Sequence, residues 1–407
     1  MMTNAQHTAE SPAGSRAAAW LILVVLLLFS IAAPLNQFKI PPIMPILMGA
    51  LGQSVTGAGL LMSVYAVTGL ILALPSGFVF QKAGYRVTGI LAGGSIVLGA
   101  VLGALSKGMG GLLASRVIEG IGTCFMAVLA PAIIAQWFAA QRRGTAMGIW
   151  SAWVPVGSTA MMLIAPALAQ SAGWRSVWWL GAGYALVVTA LYLGFVKPAP
   201  ATGAAQPAEA AGAASGRSVT PAQVLRDRNI WLLAAAFGAF GAASVGLSTY
   251  LPTFLSSQRG LPLTQAALVS GITMFVIIFS APAGGILSDR IGSRRKPYLV
   301  GFAAALILLP LVAALNVTGL IVLLIIAGLF LGLIPTNIFA AAVEAAGDER
   351  QGGMAMAVIM VGQNAGMLLG PVVFGTLAEA ASWPTAFASL AIMSALGLLA
   401  GWLAKVR

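Results

Sequence analysis

Arg116 and Glu119 stand three residues apart in the run RVIEGIG, with apolar sequence on either side. On a helix that spacing puts both on one face, where they can pair with each other. A charge at mid-helix in a bilayer costs roughly 2.5–3.5 kcal/mol on the insertion scale, so both are expected to face a protein interior and to have partners there. Three chemistries fit the pair. It is a structural ion pair, or a proton carrier in which Glu119 titrates and Arg116 adjusts its pKa, or a direct contact for a polar solute. Lys39, in LNQFKIPPIMPIL, is the second ionisable candidate, and Asn36 shares its helical face. A lysine there either attracts an anion or runs its apolar stem out to the membrane surface. Pro41, Pro42 and Pro45 follow at once and predict a kinked helix, which suits a gate or a site.

Uncharged polar residues form a weaker group. Asn337, Gln363 and Asn364 either hydrogen-bond a solute or bond only to neighbouring helices. Trp150 and Trp153 fall on one helical face and either wall a cavity or pack within a core. Trp174, Trp178 and Trp179 read as an interfacial belt. Other chemistries are poorly supplied. With one cysteine, Cys124, and one histidine, His7, in the polar N-terminal tail, neither a multi-thiolate metal site nor a His-based triad is expected. No Walker-type phosphate loop occurs. The expectation is therefore no metal, no cofactor and no enzyme.

The elements that must position these residues are membrane-spanning helices. The chain has 407 residues, 59% hydrophobic and 7% charged, whereas soluble domains carry roughly 25% charge. A span needs about 20 largely apolar residues. Suitable segments begin near Ala17, Gly57, Val87, Gly111, Thr145 and Ser176, then near Ile230, Gln265, Tyr298, Gly319, Met354 and Pro384. The fold class is thus all-α integral membrane, about twelve transmembrane helices in two six-helix halves. The expected units are an N-terminal tail (1–16), a first bundle (17–196), a linker (197–228) rich in Pro, Ala, Gly and Ser, and a second bundle (229–407). The net charge of +12 does not point to nucleic acid, because the basic residues are spread along the chain. They concentrate in the loops and tails on the side of the two termini, while Lys39, Lys107, Arg175 and Arg259 lie toward the other side. That bias places both termini in the cytoplasm of a multi-pass plasma-membrane protein.

The halves repeat. At an offset of 208 residues, Gly77, Lys82, Gly84 and Arg86 meet Gly285, Arg290, Gly292 and Arg294. Pro45 of the first span meets Pro252 of the seventh. Two halves with the same topology are related by an axis along the membrane normal, an architecture of transporters with a site between the halves. The charged run GGILSDRIGSRRK joins the eighth span to the ninth, with Gly285, Asp289, Arg290, Gly292 and Arg294 spaced as G-x-x-x-D-R-x-G-x-R. This pattern resembles the signature loop of the major facilitator superfamily. The 6+6 layout, the linker and RVIEGIG are similar to that family as well, over essentially the whole chain. Within it, LNQFKIPPIMPIL and WFAAQRRGTAMGIWSAWVPVGS are most similar to the cyanate/nitrate-type permeases. The resemblance implies a central cavity, alternating access by rocking of the halves, and a cytoplasmic gate loop whose charged role falls on Asp289 and Arg290. The first copy departs from the pattern with Gln81 in place of the usual Asp, so that role is not carried to it.

Taken together, the residues predict a secondary active transporter moving a small solute. Lys39, Arg116 and Glu119 sum to +1, which favours an anion, and proton-coupled import is the expected mode. Its partners would be the solute, protons and the lipid bilayer, and twelve-span members of the family can work as monomers. The alternative is an efflux pump working by proton antiport, although the fifth span lacks the glycine-proline motif usual in such pumps.

Overall fold

The computed structural model describes residues 13–138, 140–197, 221–346 and 352–406. Twelve helical segments in it are long and apolar enough to cross a bilayer. Spans 1 to 6 are Ala17–Leu51, Val55–Ala73, Lys82–Leu105, Met109–Trp137, Thr145–Ala172 and Arg175–Phe195. Spans 7 to 12 are Arg228–Arg259, Leu263–Ile291, Arg295–Ala313, Val317–Ala345, Met354–Ala380 and Trp383–Leu403. Most of the tail 1–16 and of the linker 197–228 lies outside the described residues. A short helix at Pro221–Arg226 precedes span 7.

Local chemistry explains where the spans begin and bend. Ser54, Asp227, Asn316 and Ser382 cap spans 2, 7, 10 and 12, each side chain accepting a backbone N–H of the first turn. Span 1 is broken, as its prolines predict. It runs as an α-helix to Gln37, a 3-10 turn at Pro41–Ile43 and a second helix at Met44–Leu51. The two short loops of the repeat share a backbone device. Gly84 and Gly292, at matching positions, have φ of 73° and 65°, a region that glycine enters without strain.

Each half is knit by close helix contact. Gly362, Gly366 and Gly370 of span 11 face span 7 so tightly that a Cβ at Gly366 would lie 1.8 Å from the Gly238 carbonyl oxygen. The seam between the halves is made by span 2 against span 11 and span 5 against span 8. Because the described spans are even in number, span 1 begins and span 12 ends at the same end of the bundle. At the opposite, far end the halves meet closely. Every residue from Phe29 to Met44 is buried, and so is every residue from Gly241 to Leu255 except Ser244. The sections of spans 1 and 7 nearer the termini mix buried and exposed residues.

Candidate functional site

The break in span 1 leaves carbonyl groups without helical partners. Pro41 has no N–H to offer the Gln37 carbonyl four residues back, and the helix opens over residues 38–40. Arg116 supplies the missing donors. Its Nη2 donates to the Gln37 carbonyl at 2.8 Å, Nη1 to the Asn36 carbonyl at 2.7 Å, and Nε to the Leu61 carbonyl of span 2 at 3.1 Å. An arginine can cap a helix end in this way because its planar fork carries five donors. Irregular backbone at membrane depth is tolerated when protein satisfies it, and here one side chain does most of that work.

Glu119 then joins the cations. One carboxylate oxygen takes a hydrogen bond from Arg116 Nη1, and the other accepts from Lys39 Nζ at 2.6 Å. Lys39 also donates to Asn36 Oδ1 at 3.0 Å and sits 4.6 Å from the centre of the Trp178 ring. Arg116 lies 4.4 Å from the Tyr65 ring. Lys39, Arg116 and Glu119 all have 0% exposure. The structure thus unites four predicted residues, Asn36, Lys39, Arg116 and Glu119, in one buried cluster, and Lys39 does not reach for the membrane surface. Two cations against one carboxylate leave a formal charge of +1.

The cluster lies inside the first half. Its polar and ring partners come from spans 1, 2, 4 and 6, and a Cβ at Gly99 of span 3 would lie 2.6 Å from Glu119 Cγ. Trp178 belongs to it, fully buried, while its neighbour Trp179 is 48% exposed. The interfacial belt expected of Trp174, Trp178 and Trp179 is therefore corrected. Only Trp179 faces outward: Trp178 lies against Lys39 of the charged cluster, and Trp174 is buried edge-on against Trp178. Tyr65 carries no mark in the sequence, being a single aromatic in an apolar run, and Trp178 stands out there only as part of the belt.

The remaining candidates are dispersed. Trp150 and Trp153 stack with ring centres 5.4 Å apart, and Trp150 Nε1 donates to Ser30 Oγ of span 1 at 2.9 Å. Asn337 is buried and donates to its own helix at the Leu333 carbonyl, 2.7 Å away, while its Oδ1 has no partner. Asn364 also donates within its helix, to the Met360 carbonyl at 2.8 Å, and its side chain lies against Gly69 across the seam. Gln363 is half-buried beside it, with its backbone against Gly241 of span 7. In the loop after span 8, the ion pairs run through Arg294. It bonds Asp289 and also Glu344 of span 10, at 2.8 Å from Nε. The hydrogen bond that Arg294 donates to Glu344, reinforced by the one to Asp289, raises the Arg294 pKa above its ordinary value, against a smaller opposing effect of burial. In this structure the loop's ion pairs are made by Arg294, and Arg290 is exposed. Gly285 lies against Thr336 of span 10, and Gly292 closes span 8.

The pattern of the Major Facilitator Superfamily matches residues 26–354 and again 299–407. The chain belongs to that superfamily. As a member, it is a transporter rather than an enzyme, embedded in the membrane by its twelve spans. A probable sulfoacetate transporter of Cupriavidus necator is 24% identical over 380 residues, 88% of this chain and 87% of that one. The cyanate transport protein of Escherichia coli is 26% identical over 293 residues, 70% and 71% of the two chains. An efflux pump of Mycolicibacterium smegmatis, also of major facilitator type, is 28% identical over 262 residues, 63% and 58%. Among solved structures, a bacterial homologue of the human lysosomal transporter Spinster, inward-facing and occupied, superposes with a TM-score of 0.80 at 15% identity, covering 97% and 98%. That likeness is one of fold.

Proposed function

We propose that the protein imports a small anion together with a proton, by alternating access, with Glu119 as the proton carrier. The observation that carries this reading is the buried +1 cluster at the break in span 1. With Glu119 ionised, Lys39 is held by the carboxylate. A proton on Glu119 removes that hold and leaves two cations facing no anion, which costs several kcal/mol in a buried site. An anion entering near Lys39 restores the balance, since two cations plus one anion again sum to +1. Proton and anion therefore favour each other's binding, the thermodynamic requirement for symport. Relatives described as a probable sulfoacetate transporter and a cyanate transport protein support an anionic cargo. Trp150 and Trp153 would wall the path, and Asn337, Gln363 and Asn364 offer amide groups to a solute crossing the second half.

The charge bias of the loops supports termini in the cytoplasm, which makes the far end extracellular and this closed-far-end conformation inward-facing. Bundles 17–196 and 229–407 would rock about the seam, with 197–228 as the tether. The protein would work as a monomer in the plasma membrane.

A second reading, proton-driven efflux, is favoured by the likeness to the mycobacterial pump. One experiment separates them: uptake of labelled cyanate, nitrate, sulfoacetate and a lipophilic cation into proteoliposomes, with and without an inward-acid gradient. Anion uptake that follows the gradient and disappears in Glu119→Gln is expected. Movement of the cation alone, against the proton gradient and indifferent to Lys39→Ala, would establish efflux instead.

A further inference from the structure

Glu379 occupies the last turn of span 11, where the helix's own free carbonyl groups disfavour a negative charge. Its carboxylate turns to the other half. One oxygen accepts the Thr56 backbone N–H at 2.8 Å and the second accepts the Thr56 hydroxyl at 2.9 Å. Thr56 lies in the first turn of span 2, where Ser54 already takes the Gly57 amide at 3.1 Å. Glu379 therefore completes, from the opposite half, the cap of a helix whose free N–H groups favour an anion.

The surrounding seam is shaped for this contact. Tyr250 of span 7 stacks on Phe374 with ring centres 4.9 Å apart, and its hydroxyl donates to the Pro371 carbonyl at 2.8 Å. The same hydroxyl lies 3.5 Å from the Val55 carbonyl of span 2. A Cβ at Gly59 or Gly375 would sit 1.8 or 2.4 Å from it, so two glycines make the groove that admits the tyrosine between spans 2 and 11. These contacts join the halves at the far end.

We propose that Glu379 is a gating residue whose carboxylate, capping span 2 in trans, holds the far end shut. Its exposure is what suits it to gating. The Lys39–Glu119–Arg116 cluster lies wholly within the first half and is not divided when the halves part, whereas Glu379 reaches across the seam, is exposed, and returns to water when they do. Such a contact biases the closed state without locking it. This rests on the alternating-access reading above.

The test is a distance measurement by double electron–electron resonance in reconstituted full-length protein. Cys124 is replaced by alanine, and spin labels are placed at Lys107 and Thr318, exposed turns of opposite halves at the far end. The unsubstituted pair should show a dominant short distance and a minor long one. Losing a charge–dipole contact and a cap at an exposed helix end should raise the long-to-short ratio about two- to five-fold in Glu379→Ala. Glu379→Gln, which keeps an acceptor but not the charge, should give a smaller rise. A ratio unchanged in Glu379→Ala, while the unsubstituted pair still responds to added cyanate or nitrate, would overturn the gate and leave alternating access standing. One far-end distance in every variant and with every solute would overturn both.

Discussion

Replacing Glu119 by glutamine leaves Lys39 and Arg116 as two cations in a site with no exposure, and the stability this removes can be worked out. Charges 2.6 Å apart, as Lys39 Nζ and the carboxylate are, attract by about 6 kcal/mol at an effective dielectric constant of about 20. Desolvation already borne by the native cluster offsets part of this, and removing one partner of a buried pair typically costs about 3–5 kcal/mol. The glutamine oxygen still accepts one hydrogen bond, which puts Glu119→Gln at the low end, about 3 kcal/mol. Lys39→Met behaves differently. It removes the surplus cation and leaves Arg116 and Glu119 balanced, with an unbranched side chain of similar volume, so its cost should stay below about 1.5 kcal/mol. The double variant should then be more stable than the sum of the two losses by at least about 1 kcal/mol. Reversible unfolding in mixed micelles, followed by tryptophan fluorescence, measures all four proteins. Equal losses in the two single variants, or strict additivity in the double one, would refute the electrostatic account of the cluster.

Arg116→Lys should fail to rescue Arg116→Ala, because an ammonium cannot serve three carbonyls and a carboxylate at fork geometry; both should lose about 3 kcal/mol or more in the same assay. Gly366→Ala, whose Cβ would meet the Gly238 carbonyl, should cost about 1–3 kcal/mol. Gly94→Ala, with open space at its Cβ, should be neutral or stabilising by up to about 1 kcal/mol. Arg294→Ala should separate the loop after span 8 from Glu344, read as faster hydrogen exchange over residues 285–296 with spans 1 to 6 unchanged.

Much of this architecture could be read from residue order because a bilayer is a demanding solvent. It forces every span to be long, apolar and internally hydrogen-bonded, so the starts expected near Thr145, Ser176 and Met354 fall within a residue of those found. The kink in span 1 followed from its prolines, and the turn glycines from the repeat. What stayed hidden depends on the angular setting of one helix against another. Arg116 and Glu119 were visible as neighbours on one helix, but nothing in the chain order brings Lys39 to them across 80 residues. Nor does it show that Arg116 spends most of its donors on backbone. The same applies to Glu379, an ordinary carboxylate at a helix end until span 2 is seen beside it. Aromatic belts misled for a related reason, since Trp178 and Trp179 differ only by the 100° that turns one inward.

The charged cluster also has a consequence for how the chain is built. Synthesis runs from the N-terminus, so span 1 enters the membrane with Lys39 before its partners on span 4 exist. An unpaired lysine at that depth costs roughly 2.5–3.5 kcal/mol, a cost its flexible stem relieves by reaching the headgroups. Span 4 arrives carrying a carboxylate and an arginine that already neutralise each other at i, i+3. Only when it docks does Lys39 exchange lipid headgroups for Glu119, and Arg116 find the open carbonyls behind Asn36 and Gln37. Docking of span 4 is thus a checkpoint in biogenesis: a chain that loses Glu119 should stall with span 1 undocked, exposed to quality-control proteolysis before it ever meets a solute.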